Sequence, residues 1–332
     1  MKKYVSVFFG FLLVLLMVVG CSCDKDNDDK ASLGVGDMNA TSYIELTSLE
    51  ALKLKVDNED SFILFVYMVG CDHCRNFKPI LDFVIDERNL IVYAIEFSHI
   101  VNYDKLSKVD AAPSLVVYDE GEILTITDPS RNKNYFKNYD GLKSFLNKYT
   151  YSPVAFYITL DQLRAKKANN ENFIVYFSRA TCGDCNYLNE HYMNDFYDVY
   201  HADRVFYILE CDAEGVRFNN GEYDEVQWQA IKDEFGLSEE GSATFGYGKG
   251  VVPTFQYYNT GKLTDMMVYA NDEGEWNTLD DGTVTITITG SYYWDNPFIG
   301  ETIDYVDYHD TVEDFYNLKL QSFLAQYLKF VD

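Results

Sequence analysis

One block of sequence, used twice, constrains this 332-residue chain more than anything else in it. An unbroken apolar run leads into Cys-x-x-Cys, a helix-like stretch follows, and further on a proline opens another apolar run. The first copy is Phe62-Ile63-Leu64-Phe65-Val66-Tyr67, then Cys71-Asp72-His73-Cys74, then Pro113-Ser114. The second is Phe173-Ile174-Val175-Tyr176-Phe177, then Cys182-Gly183-Asp184-Cys185, then Pro253-Thr254. Two residues between the cysteines allow one thiol to sit on the first turn of a helix with its partner beneath it. The first then becomes a thiolate and the second resolves it.

The repetition extends outward from these blocks. Tyr43-Ile44-Glu45-Leu46-Thr47-Ser48-Leu49 matches Tyr157-Ile158-Thr159-Leu160-Asp161-Gln162-Leu163 upstream, and Leu90 to Glu96 matches Val205 to Glu210 downstream. Each copy predicts a short strand, a helix capped by Thr47 or Asp161 (with Glu50 completing a capping box in the first), and a strand buried on both faces. The active-site helix, another buried strand, a strand-turn-strand around Gly121 or Gly261, and a closing helix near 141–148 or 311–329 follow. The chain is long enough for two such units, each with its own core.

This order, with Cys-x-x-Cys between strand and helix and a proline opening a later strand, resembles the thioredoxin family over nearly all of residues 41–332. The resemblance implies an α/β fold of two tandem thioredoxin-like domains, each a central mixed sheet flanked by helices, at 41–150 and 151–332. Tandem copies look like protein disulfide isomerase or Dsb-type proteins in plan. It implies Cys71, Cys74, Cys182 and Cys185 as catalytic, and Ala112-Pro113 and Val252-Pro253 as the cis-proline loops that pair with an extended substrate. Pro79 matches the family's helix-kinking proline, where the second copy has Glu190. Two positions depart from the reductases of the family: Phe65 and Tyr176 stand where those carry a buried acid, and Gly70 and Thr181 stand where they favour tryptophan.

The residues inside the motifs tune the thiolates. A cationic His73 would stabilise Cys71, whereas the carboxylate of Asp184 should raise the Cys182 thiol, so Cys71/Cys74 is expected to be the more oxidising pair. A permanent staple is a competing reading, although a four-residue ring constrains an unfolded chain little. A zinc site from all four cysteines has the wrong spacing for a ribbon, and copper handling by Cys71, Cys74 and His73 lacks further ligands. Cys211, aligned with Phe97, reads as a small core residue. The remaining histidines show no metal-ligand spacing. Thiol exchange requires no organic cofactor or metal.

The N-terminus indicates where this chemistry takes place. Lys2-Lys3 precedes an apolar stretch from Tyr4 to Gly20, and Val18-Val19-Gly20-Cys21 resembles the bacterial lipobox, with Cys21 lipidated. Residues 1–20 then form a signal peptide, 21–40 a flexible tether, and the remainder faces the extracytoplasmic side of the membrane. An uncleaved anchor helix would leave the domains on the same side. Both places tolerate disulfides. With 53 acidic against 27 basic residues and a formal charge of −26, nucleic acid is excluded as a partner, and membrane contact must come through the anchor.

The second copy also carries insertions, at about 213–250 and 271–305. They contain a helix ending at Phe235-Gly236, a glycine-rich loop at 238–249, and Thr283 to Thr289, whose strict alternation signals a half-exposed strand paired with the aromatic segment after Gly290 on the sheet edge. The expected function is a membrane-anchored thiol-disulfide oxidoreductase acting on exported proteins, with an unidentified redox partner. The alternative is a non-catalytic binding or assembly module of a surface or export complex.

Overall fold

A computed structural model describes residues 30–193, 196, 205–217, 222–237, 245, 252–269, 273–290, 297–304, 307 and 314–331. The first sheet is built from β3 (Ile44–Leu46), β4 (Phe62–Tyr67), β5 (Val92–Glu96), β6 (Ser114–Asp119) and β7 (Glu122–Thr127), in the order β3-β5-β4-β6-β7. β3, β5 and β4 run parallel, and β6 and β7 are antiparallel additions. Helices α1 (Leu49–Asp57), α2 (Asp72–Arg88) and α3 (Tyr139–Tyr149) flank it.

The second sheet repeats the order with β9 (Ala155–Tyr157), β10 (Phe173–Ser178), β11 (Phe206–Glu210), β12 (Thr254–Asn259) and β13 (Lys262–Val268), and adds β2 (Val35–Asp37) at its edge, arranged β13-β12-β10-β11-β9-β2. Helices α4 (Leu160–Ala168), α5 (Gly183–Leu188), α6 (Glu225–Phe235) and α7 (Asp314–Tyr327) belong to this half. Both halves have the thioredoxin-like α/β plan. β4 and β10 are central because every residue from Phe62 to Val66 and from Phe173 to Ser178 is buried; alternate side chains feed separate cores on the two faces.

The repetition reaches individual contacts. Phe62 stacks on Tyr118 at 4.5 Å, and Phe173 stacks on Tyr258 at 4.7 Å. Lys55 lies 4.0 Å above the Tyr93 ring, and Lys166 lies 4.3 Å above Tyr207. Gly121 and Gly261 turn the β6–β7 and β12–β13 hairpins at φ +73° and +71°. Their N–H groups reach the Asp60 and Glu171 carbonyls at 3.1 and 2.9 Å.

Four details differ from the sequence reading. The tether ends before Ala31: β1 (Ala31–Ser32) pairs with β8 (Thr150–Tyr151), and β2 (Val35–Asp37) adds a sixth, parallel strand beside β9. Pieces so short carry no alternation, and only their distant partners make them strands. The helix caps are Ser48 and Thr159 rather than Thr47 and Asp161, and the complete capping box is in the second copy, Thr159 with Gln162. Ser and Thr hydroxyls at those positions reach the N3 amide, a register that spacing alone leaves open by a residue or two.

The insertion strand β15 (Val284–Gly290) pairs with the acidic segment before it, β14 (Glu273–Thr278), and with β16 (Thr302–Asp304), in a separate three-stranded sheet. The Asp281-Gly282 turn makes that hairpin local. The alternation holds from Ile286 onward, with Ile286 and Ile288 buried against the second core, but fails ahead of it, where Val284 is exposed and Thr285 buried. The residues at 292–294, the loop at 238–249 apart from Phe245, and the N-terminal segment with Cys21 lie outside the described residues. No described helix is long and apolar enough to cross a membrane.

Candidate active site

Each Cys-x-x-Cys sits where a parallel strand hands over to a helix. Cys71 caps α2, its sulfur accepting the Cys74 N–H at 3.1 Å, and Cys182 caps α5 in the same way through the Cys185 N–H at 3.3 Å. The first cysteine of each pair is half-buried. The second lies beneath it, 6% exposed for Cys74 and fully buried for Cys185. α2 runs on through Pro79; in the second copy the helix gives way at the same place to a π-helical turn, Asn189–Met193.

The prolines close over the thiols. Ala112-Pro113 and Val252-Pro253 are both cis. The carbonyl ahead of each proline faces the outer sulfur, with Cys71 Sγ 3.6 Å from Ala112 O and Cys182 Sγ 3.4 Å from Val252 O. The distant cysteines and prolines of each copy are thus brought together, two separate sites in one chain. All five described cysteines are free thiols.

The electrostatics separate outer from inner thiols. Hydrogen bonding from the Cys185 thiol, aided by backbone amides, holds the Cys182 thiol down at about 7 against burial and the Asp184 carboxylate. Asp184 does push upward, as its charge requires, yet it loses to the donors at the helix start; the expectation of a raised Cys182 is overturned. Burial pushes the Cys74 thiol up to about 12 and drives Cys185 further in the same direction, with the Cys182 sulfur adding to it and the Ser178 hydroxyl opposing it. His73 is exposed on the first turn of α2, and Asp72 is engaged by Arg75. Cys211 is fully buried and its thiol is raised by burial, as befits a core residue.

The surroundings of the two sites differ. Beside Cys71 is a cavity of about 260 Å³ lined by Tyr43, Tyr67, Met68, Val69 and Lys78, with Met68 and Val69 45% and 73% exposed. The corresponding residues before Cys182 are Arg179, Ala180 and Thr181, tied down by polar groups. Glu210, its carboxyl raised by burial, accepts the Ala180 N–H at 2.9 Å. Asp212 accepts the Thr181 N–H at 3.2 Å and its hydroxyl at 2.8 Å. None of these holding residues stands out in the sequence; the only signal is a charged side chain, Arg179, directly after an apolar central strand. The acid absent from the family position is absent here too: Phe65 and Tyr176 are buried, and the Tyr176 hydroxyl meets Asn189 at 3.3 Å. Among the described residues no cluster of His, Cys, Asp or Glu has metal-site geometry.

No family model and no curated protein sequence matches the chain. Solved structures that resemble it include a mutant thioredoxin from Halobacterium salinarum, 16% identical, covering 33% of this chain and 92% of its own, TM-score 0.28. Thioredoxin NaTrxh from Nicotiana alata is 12% identical over 33% of this chain and 93% of its own, TM-score 0.28. The J-Trx1 fragment of ERdj5 is 19% identical over 32% of this chain and 50% of its own, TM-score 0.27. The fold assignment stands on the strand order and connections described above, not on these scores.

Proposed function

We propose that the protein is a thiol-disulfide oxidoreductase with two dithiol sites, held by a lipid on Cys21 at the extracytoplasmic face of a bacterial membrane and acting on exported proteins. The observation that carries this reading is the contrast within each pair: a half-exposed sulfur at a helix start, facing a carbonyl beside a proline, over a buried partner thiol.

The outer thiolate attacks one sulfur of a substrate disulfide, and the other substrate sulfur leaves as a thiolate and takes up a proton. The buried cysteine then loses its proton and attacks the mixed disulfide, releasing the second substrate thiol and leaving the protein's own disulfide. Run backward, the same steps oxidise a substrate dithiol. Either direction requires a redox partner to restore the starting state.

The buried residues Phe65 and Tyr176 favour a second reading, because neither position offers a carboxylate to take the proton from the inner thiol: a binding or assembly module that retains the fold without turnover. One experiment separates the two. Cys74→Ser and Cys185→Ser variants should trap mixed disulfides with exported proteins, resolved by non-reducing gels and mass spectrometry. A module would trap none, and that result would end the oxidoreductase reading.

A further inference from the structure

The Cys182 site contains a largely buried charged pair, whereas the Asp72–Arg75 pair beside Cys71 is exposed. Arg179 Nε lies 3.2 Å from Asp212 Oδ1, with the two side chains 12% and 10% exposed. The guanidinium is held between rings of the insertion, 4.3 Å from the Tyr223 centroid and 5.1 Å from Trp228. Thr181, the residue before the nucleophile, gathers the whole arrangement: its hydroxyl donates to Asp212 at 2.8 Å, lies 2.8 Å from the Tyr223 hydroxyl, and receives Arg179 Nη2 at 3.4 Å. Arg179 also joins Cys182 through the backbone, its carbonyl accepting the Cys182 N–H at 3.0 Å. A cation and an anion are therefore fixed against Thr181, the residue that leads into Cys182.

We propose that Arg179 and Asp212 are positioning residues of the second site, a charge pair pinned by the insertion that holds Thr181 and balances the field at the Cys182 sulfur. The physical reason is that a guanidinium near a thiolate favours it and a carboxylate disfavours it. Paired, they nearly cancel. Remove one and the other acts alone, in a half-buried place where screening is partial. Other groups lie around the site as well. Cys185 and Asp184 come from the helix that Cys182 caps; Glu210, at the end of β11, holds the Ala180 N–H nearby, Glu214 after it acts on Cys211, and Arg217 lies against the Tyr223 ring. These stay unchanged when the pair is altered, and the described part of the proline loop, from Val252, adds no titratable group.

The inference rests on the oxidoreductase reading for its purpose but not for its test, since titration of a thiol is read without turnover. The reduced full chain is alkylated with iodoacetamide across pH 5 to 9.5, and the rate at each cysteine is followed by peptide mass spectrometry. Asp212→Asn should lower the Cys182 midpoint and Arg179→Gln should raise it, each by about half a pH unit for a charge under ~10 Å away. Tyr223→Phe keeps both charges and should leave the midpoint in place. Cys71 serves as an internal control and should not move in any variant. If a variant unfolds, Asp212→Ser and Arg179→Met repeat the same charge changes. Shifts in the same direction, or no shift, would overturn the pair's role; a merely structural role gives one of those results. A chain that shows opposed shifts yet never exchanges with glutathione disulfide would lose the proposed function and keep the pair.

Discussion

The Cys182 sulfur, its thiol held at about 7 by hydrogen bonds at a helix start, changes charge within the range where most proteins work. Depression of an acid means the thiolate is present above that value and lost as pH falls through it. Alkylation of Cys182 in the wild-type chain should therefore rise from pH 5, reach half its maximum near 7, and be flat above 8. Cys185, fully buried and shifted upward, should stay unreactive across that range while the fold holds. Midpoints read residue by residue check both statements, and a Cys182 midpoint near 9 would contradict the geometry. The four cysteines were singled out by the repeated Cys-x-x-Cys, and the two prolines by the resemblance to the thioredoxin family. The balance at Cys182 was not, because Asp184 is next to it in sequence whereas the opposing donors act through hydrogen bonds that only the folded turn makes. Arg179, Asp212 and Tyr223 escaped for the same reason: they meet in space, from three separate stretches.

At the scale of elements, a buried amide joins the apolar packing of Ile231 and Phe235 in fastening the insertion helix α6 to the second sheet. Gln256, fully buried in β12, donates from Nε2 to the Phe235 carbonyl at 2.7 Å, and its Oε1 accepts from the Tyr258 hydroxyl at 2.8 Å. Gln256→Leu would leave both unsatisfied and should cost about 2–3 kcal/mol in urea unfolding. The hairpin glycines give a second case. A Cβ on Gly261 would lie 2.1 Å from the Lys167 carbonyl oxygen at φ +71°, so Gly261→Ala should destabilise by roughly 1–3 kcal/mol, measured the same way. The central strands and the hairpins around Gly121 and Gly261 could be read from unbroken apolar runs and turn residues. The helix caps and the partner of β15 were misread, since neighbouring hydroxyl residues compete for the cap and alternation names a strand without naming its mate.

Over the whole molecule, β2 precedes the first sheet yet belongs to the second, whereas β1 just ahead of it packs with the first half. β2 forms the outer edge beside β9, and Asp37 N also reaches the Asn89 carbonyl at 2.8 Å, so one short strand touches both halves. A chain starting at residue 41 should lose about 2 kcal/mol from the unfolding of the second half, on the few backbone hydrogen bonds of β2, and should associate through the bared β9 edge; the first core would lose the buried Ala31. Denaturant unfolding and light scattering read these effects, and unchanged stability would mean that the strand is dispensable. Nothing in the sequence signals this clasp, because Val35-Gly36-Asp37 has neither alternation nor length. Its consequence appears during synthesis. The edge of the second sheet leaves the ribosome before any of the first sheet, and its neighbour only after all of it, so the early strand has to wait, unpaired, while an entire α/β unit is made and folds in between. The first half is thus born inside a loop that the second half later closes.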